Sequence, residues 1–301
     1  GGDGRDTLVT SALTNTGLTA GHGITGVEIL HVGGTTTAGV AANYTVDSDV
    51  TTSFDAFVHN STAAMTYTNT VGANMADASK GLTILNNGDV TMEIKGSDGL
   101  GASSDALYIN IGNTTGTAGA ATQSALQTTV GVNTGAITAA NIETITLDVK
   151  ASADSQTAAG TGAITATTVT TLNIKGGAAG EAFAVGAITN TGNSLVKIDG
   201  SSFAGNLTVT GTAVGQSISG GSGNDFLGTG DSATFGSTVA KDILTGGAGN
   251  DVFSFRGNDA TISGANLNTM DALSTNKFIG MASITDLNLG GSSAASQVDV
   301  I

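Results

Sequence analysis

The sequence predicts an all-β chain, a parallel β-helix or β-roll-like solenoid, and three features carry that expectation. Short apolar runs that alternate with polar residues recur between clusters of Gly, Asn, Ser and Thr, and helix-period patterns are scarce. The composition agrees: 301 residues hold 46 Gly, no Pro and only 4% aromatics, with 48 Thr set among Ala, Val, Ile and Leu, so small side chains lie on a β-rich backbone.

Taken in order, residues 27–32, 90–94, 107–111, 142–149, 169–174, 195–198 and 207–210 read as strands. Ile145-Thr146-Leu147-Asp148-Val149 and Leu172-Asn173-Ile174-Lys175 alternate with period two, which buries one face and leaves the other wet. The best helical pattern is 54–64, with a weaker one at 124–129. The segments around Ile145, Leu172, Val196 and Val209 share an apolar-polar-apolar centre at uneven separations. That texture suits degenerate coils of a solenoid or the successive strands of β-sandwich-like regions, and both readings stand for the centre of the chain. Changes of motif divide the sequence into 1–9, 10–215, 216–263 and 264–301.

Composition and charge exclude several function classes. No cysteine means no disulfide framework, thiolate zinc site or Cys nucleophile. A net charge of −15 repels nucleic acid and anionic lipid. No apolar stretch approaches the about 18 residues of a membrane span, so membrane insertion is not expected. Residues 1–10 lack the features of a signal peptide and there is no initiator Met, so the chain is read as processed or cut from something longer. The acids are 20 Asp against 4 Glu, and Asp is both a turn residue and a hard-cation ligand.

The residues that carry chemistry are Gly220-Gly221-Ser222-Gly223-Asn224-Asp225-Phe226-Leu227-Gly228 and Gly246-Gly247-Ala248-Gly249-Asn250-Asp251-Val252-Phe253-Ser254. Both fit the nonapeptide G-G-x-G-x-D-x-U-x, where U is a large apolar residue. Between them lie degenerate units containing Asp231 and Asp242, and Gly1-Gly2-Asp3-Gly4-Arg5-Asp6-Thr7-Leu8-Val9 matches again at the amino-terminal end. Glycine permits the backbone conformations that turn carbonyl oxygens inward, and those oxygens with the Asp carboxylate make a hard-cation site. The apolar residue two places after Asp opens a short core-facing strand. Two units then complete a coil, so Asp225 is expected to face Asp242, 17 residues on, and Asp231 to face Asp251, 20 residues on. Calcium (Ca2+) fits better than magnesium because it accepts about six to eight oxygens in flexible geometry, carbonyls included. The expected ligand-bearing residues are Gly220, Gly221, Gly223, Asp225, Asp231, Asp242, Gly246, Gly247, Gly249 and Asp251, with Gly1, Gly2, Gly4 and Asp6 binding only if a partner turn exists.

On these nonapeptides the chain resembles RTX-type calcium-binding proteins exported by bacterial type I machinery. The strand-rich stretch Ser194 through Gly211 that precedes them is similar to the region leading into the RTX block of type-I-secreted surface-layer (S-layer) proteins. The ending Gln297-Val298-Asp299-Val300-Ile301 resembles their uncleaved export tail. The sequence departs from the pattern where the middle units degenerate and where Gly257-Asn258-Asp259 falls out of register, which implies fewer ions than in a long RTX block.

Other motifs dissolve on inspection. Gly21-His22-Gly23-Ile24-Thr25-Gly26 has dinucleotide-fingerprint spacing but lacks the strand before and helix after. His22, His31 and His59 have no HExxH spacing, and no nucleophile elbow or phosphate-loop lysine is present. The expectation is therefore a non-enzymatic, secreted, calcium-dependent structural protein at a bacterial cell surface. Its partners would be copies of itself in a lattice or filament, and cell-surface polysaccharide. An RTX adhesin or biofilm-matrix component, or the RTX tail of a larger secreted enzyme, are the alternatives.

Overall fold

The computed structural model describes residues 2–10, 24–33, 44–47, 54–95, 105–112, 134–150, 159–212, 215–230, 242–255 and 283–286. They form a β-solenoid in which every described strand pairing is parallel. That removes the antiparallel sandwich reading, since a winding chain lays each strand beside its equivalent in the coil before, both running the same way.

An 11-stranded sheet runs Thr7–Thr10, Ile29–Val32, Ala56–His59, Gly81–Ile84, Ala106–Ile111, Thr144–Val149, Thr171–Gly176, Lys197–Phe203, Ser217–Ser219, Ile243–Thr245 and Ser283–Ile284. It takes strands from all four segments named from the sequence. A six-stranded sheet comprises Tyr44–Asp47, Met65–Thr70, Val90–Ile94, Ile137–Ala140, Ile164–Ala166 and Ile188–Thr189. A five-stranded sheet comprises Ala159–Gly160, Ala182–Ala184, Asn206–Thr210, Phe226–Gly228 and Val252–Ser254. From 29 to 140 the described strands alternate between the long and six-stranded sheets. Between 144 and 189 each coil visits all three, and from 197 onward the chain alternates between the long and five-stranded sheets. The nonapeptides thus sit where the coil has narrowed to two strands.

In-register apolar ladders hold the coils together. Leu107, Ile145, Leu172, Ile198, Ile218 and Leu244 stack on successive strands of the long sheet and are buried. Each such Leu or Ile contributes about 1.5–3 kcal/mol by leaving water. Their neighbours Thr144, Thr146, Thr171 and Asn173 are only half-buried, as the period-two pattern predicts. Nearer the amino-terminal end the rule changes: Ile29–Val32, Ala56–His59 and Gly81–Ile84 are buried on both faces, and Ile29, Ala56, Val58 and Leu85 form a second apolar cluster.

The helix expected over 54–64 is absent, and Ala56–His59 is a strand. A strand buried on both faces loses its polar alternation, and a short continuous apolar run reads equally as helix. Residues 124–129 lie outside the described ones. Among the described residues the helix is Gly72–Met75, a single turn, and none is long and apolar enough to cross a membrane.

Candidate metal centre

Asp225 directly precedes the strand Phe226–Gly228, and Asp251 directly precedes Val252–Ser254. These two strands are parallel neighbours, with Phe226 beside Val252 and Leu227 beside Phe253. Leu227 and Phe253, two places after each Asp, are buried, as the motif predicts. The glycine turns therefore stack one on the other, and their separation is one whole coil.

This corrects the pairing expected from the sequence. The Asp225 backbone N–H donates to Asp251 Oδ1 across 2.9 Å and 26 residues, whereas the coil before it spans 18, from Leu207 to Asp225. The added length falls between the two motifs, so Asp242 is carried to another corner. There it precedes Ile243–Thr245 of the long sheet, and its Oδ1 accepts the Gln216 N–H at 2.6 Å. Asp231, expected to face Asp251, lies outside the described residues, as does Gly1.

Side chains and backbone interlock along the turn column. Asn206 Oδ1 accepts the Asn224 N–H and Asn224 Oδ1 accepts the Asn250 N–H, each at 2.8 Å. Asp225 Oδ1 accepts the Leu207 N–H at 2.7 Å, and its Oδ2 accepts the Gly221 N–H at 2.6 Å. Beyond the second turn, Asp286 accepts the N–H groups of Gly246 and Gly247, both at 2.8 Å. Asp286 follows Ile284-Thr285 as Gly246 follows Leu244-Thr245, the only trace in sequence of a residue that the glycine pattern does not flag.

Glycine is required here for contact as well as conformation. Gly247 and Gly249 have φ of +95° and +127°, and a Cβ on them would lie 2.2 Å from the Gly221 carbonyl oxygen and 2.0 Å from that of Gly223. A Cβ on Gly220 would meet Asp225 Oδ2 at 2.3 Å and the Gly246 carbonyl oxygen at 2.4 Å, and one on Gly246 would meet Asp251 Oδ2 at 2.2 Å. The space between the turns is thus lined with carboxylate and carbonyl oxygens that only glycine leaves clear.

Asp225 and Asp251 are each 1% exposed. Burial pushes the Asp225 carboxyl up to about 6, with the charge of Asp251 acting the same way and the hydrogen bonds from Leu207 and Gly221 opposing. Among the described residues, lysine and arginine pair with Asp55, Asp148 and Asp199 rather than with Asp225. Also among the described residues, no three His, Cys, Asp or Glu side chains gather as a metal cluster. A cation between these turns would draw on two carboxylates and several carbonyls, a donor set that suits calcium and not zinc.

The amino-terminal copy reproduces the turn but not the stack. Gly2 N–H donates to Asp6 Oδ2 at 2.7 Å, as Gly221 does to Asp225, and Gly4 has a φ of +111°. Its strand Thr7–Thr10 belongs to the long sheet, however, and the Asp6 N–H donates to Glu28 Oε2 at 2.8 Å. The neighbouring turn carries no nonapeptide. His31 and His59 are buried and, among the described residues, join no group of three potential metal ligands; His22 lies outside the described residues. No known protein family matches the chain, and no curated protein or solved structure is significantly similar to it.

Proposed function

We propose that the chain is an extracellular, calcium-dependent structural protein that assembles with copies of itself into a bacterial surface layer or fibre, and that it is not an enzyme. The reading rests on one observation: two buried aspartates, Asp225 and Asp251, on directly stacked glycine turns, one hydrogen-bonded through its backbone to the carboxylate of the other. Two ionised carboxylates held out of water on adjacent turns oppose folding unless positive charge joins them. Asp225, Asp251 and the carbonyls of the two glycine turns would hold calcium, which supplies that charge when bound.

Folding and export are linked through this balance. Where calcium is scarce, repulsion at the turns keeps the carboxyl-terminal coils loose, the state that suits passage through an export channel. Extracellular calcium sites have Kd of about 10⁻⁴ to 10⁻³ M, so millimolar calcium adds about 0.4–1.4 kcal/mol per site. One such site is a weak switch, and assembly multiplies it because each contact between copies adds ordered sites or removes loose coils from the equilibrium.

Calcium titration followed jointly by circular dichroism and light scattering, with negative-stain microscopy at each end, tests the proposal. The expected result is a gain of β-structure and of ordered sheets or fibres between micromolar and millimolar calcium, reversed by chelator. Unchanged structure and assembly over that range would sink it.

A further inference from the structure

The coils that carry the glycine turns differ from the rest of the solenoid in what they show to solvent. Among the described residues between 200 and 255 the charged side chains are Asp225, Asp242 and Asp251, and all three are buried. The other two sheets are charged outside: the six-stranded sheet exposes Glu93, and the long sheet carries Asp148, Lys175, Lys197 and Asp199 in ion pairs. No residue of the five-stranded sheet is charged.

The outer face of this sheet also presents apolar groups. Phe183, Leu207, Val209, Leu227 and Phe253 are buried in the core, so alternation turns Ala184, Thr208, Phe226 and Val252 outward. These four lie side by side in register on consecutive strands. Ala184, Thr208 and Val252 are exposed and Phe226 is half-buried. The other described phenylalanines, Phe54, Phe57, Phe183, Phe203, Phe253 and Phe255, are buried in the core or packed against it.

Charge decides what can lie on this face. A chain of net charge −15 repels copies of itself wherever it shows acid, and here it shows none. Nucleic acid, acidic polysaccharide or anionic lipid would find no cation in the sheet, and a neutral sugar chain calls for a broader aromatic platform than one half-buried ring. We propose that two copies of the chain meet through the outer faces of their five-stranded sheets, centred on Phe226 and Val252. A two-fold axis between these neighbours brings Phe226 of one copy onto Val252 of the other, the self-matching arrangement of an isologous contact. Five strands about 4.8 Å apart and about three residues long give roughly 200 Å² of sheet, against about 800 Å² per partner in a stable pair. One such contact is weak, which suits an array where each copy makes several rather than an isolated dimer. The proposal rests on the self-assembly read above and names its contact. It also ties that contact to the cation: Phe226 and Val252 directly follow Asp225 and Asp251, so stacking of the two glycine turns sets these side chains next to each other.

The test uses the full chain in millimolar calcium, with assembly read by light scattering and negative-stain microscopy. Thr208→Glu puts a like charge on the face of every copy, and Thr189→Glu, at an exposed position of the six-stranded sheet, is the control with the same change of charge. Thr189→Glu is expected to assemble at the parent's concentration and Thr208→Glu to need at least about tenfold more, with circular dichroism confirming the fold. The chain has no Trp, so Phe226→Trp supplies a reporter that keeps the face apolar. Its emission is expected to move to shorter wavelength as assembly proceeds, and that of Thr189→Trp to stay in place. Assembly of Thr208→Glu at the parent's concentration, or an unmoved Phe226→Trp emission in assembled material, would overturn this contact and leave calcium-dependent assembly standing. A parent that stays monomeric at every calcium and protein concentration would overturn both.

Discussion

Replacing Asp225 with Asn distinguishes a charge-linked turn from a merely hydrogen-bonded one. The folded chain holds the Asp225 proton with a pKa of about 6 against an ordinary value of 3.8. An acid raised in this way favours the fold below the unfolded value, and that contribution is lost as the pH rises through the folded value. At pH 7 without calcium the ionised group therefore weighs against folding by on the order of 2–3 kcal/mol. Asn removes this penalty but offers one acceptor oxygen where the carboxylate offers two. The N–H of Leu207 or of Gly221 then loses its partner, at about 1–3 kcal/mol. The two effects nearly cancel, so in chelator the variant should lie within about 1 kcal/mol of the parent. In millimolar calcium the parent alone gains, by about 0.4–1.4 kcal/mol at this site. Urea denaturation followed by circular dichroism, with and without chelator, reads both numbers. A loss above about 3 kcal/mol that is equal in the two conditions would refute the reasoning and leave Asp225 a plain acceptor.

Three further outcomes follow from the same geometry. Gly249→Ala, with φ of +127° and its Cβ 2.0 Å from the Gly223 carbonyl oxygen, should cost about 2–4 kcal/mol in urea denaturation, while Ser222→Ala at an exposed motif position should fall within about 0.5 kcal/mol of the parent. Asp286→Ala strips the acceptors from Gly246 and Gly247 and should cost about 1–3 kcal/mol, seen as faster amide exchange at those two glycines before any change in the Ile137 region. His59 is fully buried and burial lowers its pKa from 6.5 to about 4, so it is neutral in the fold and its share of stability, about 3 kcal/mol, is present above pH 6.5 and lost as the pH falls toward 4. His59→Gln should flatten that acid limb of the stability profile, measured in calcium so that the opposite titration of Asp225 is suppressed.

What the sequence made legible and what it hid divide along a physical line. Strands such as Thr144–Val149 and Thr171–Gly176 were readable because a half-buried strand must alternate, and local alternation is printed in consecutive residues. The glycine turns were readable for the same reason: close approach of stacked backbones forces glycine at fixed places within nine residues. Neighbours across coils are not local. They depend on how many residues each coil spends between strands, and here one coil takes 18 and the next 26. Assuming a uniform coil put Asp225 beside Asp242, when the structure puts it beside Asp251. A row of outward-facing threonines on the six-stranded sheet was hidden by that same variability, since Thr66, Thr91, Thr138 and Thr165 follow no constant period and lie side by side only once register is known. Register is imposed by the inward partners Met65, Val90, Ile137 and Ile164, because a slip of one residue would turn them to water and bury the hydroxyls. The same apolar burial that closes the solenoid thus keeps the outer row aligned, with no contact among the threonines needed to specify it.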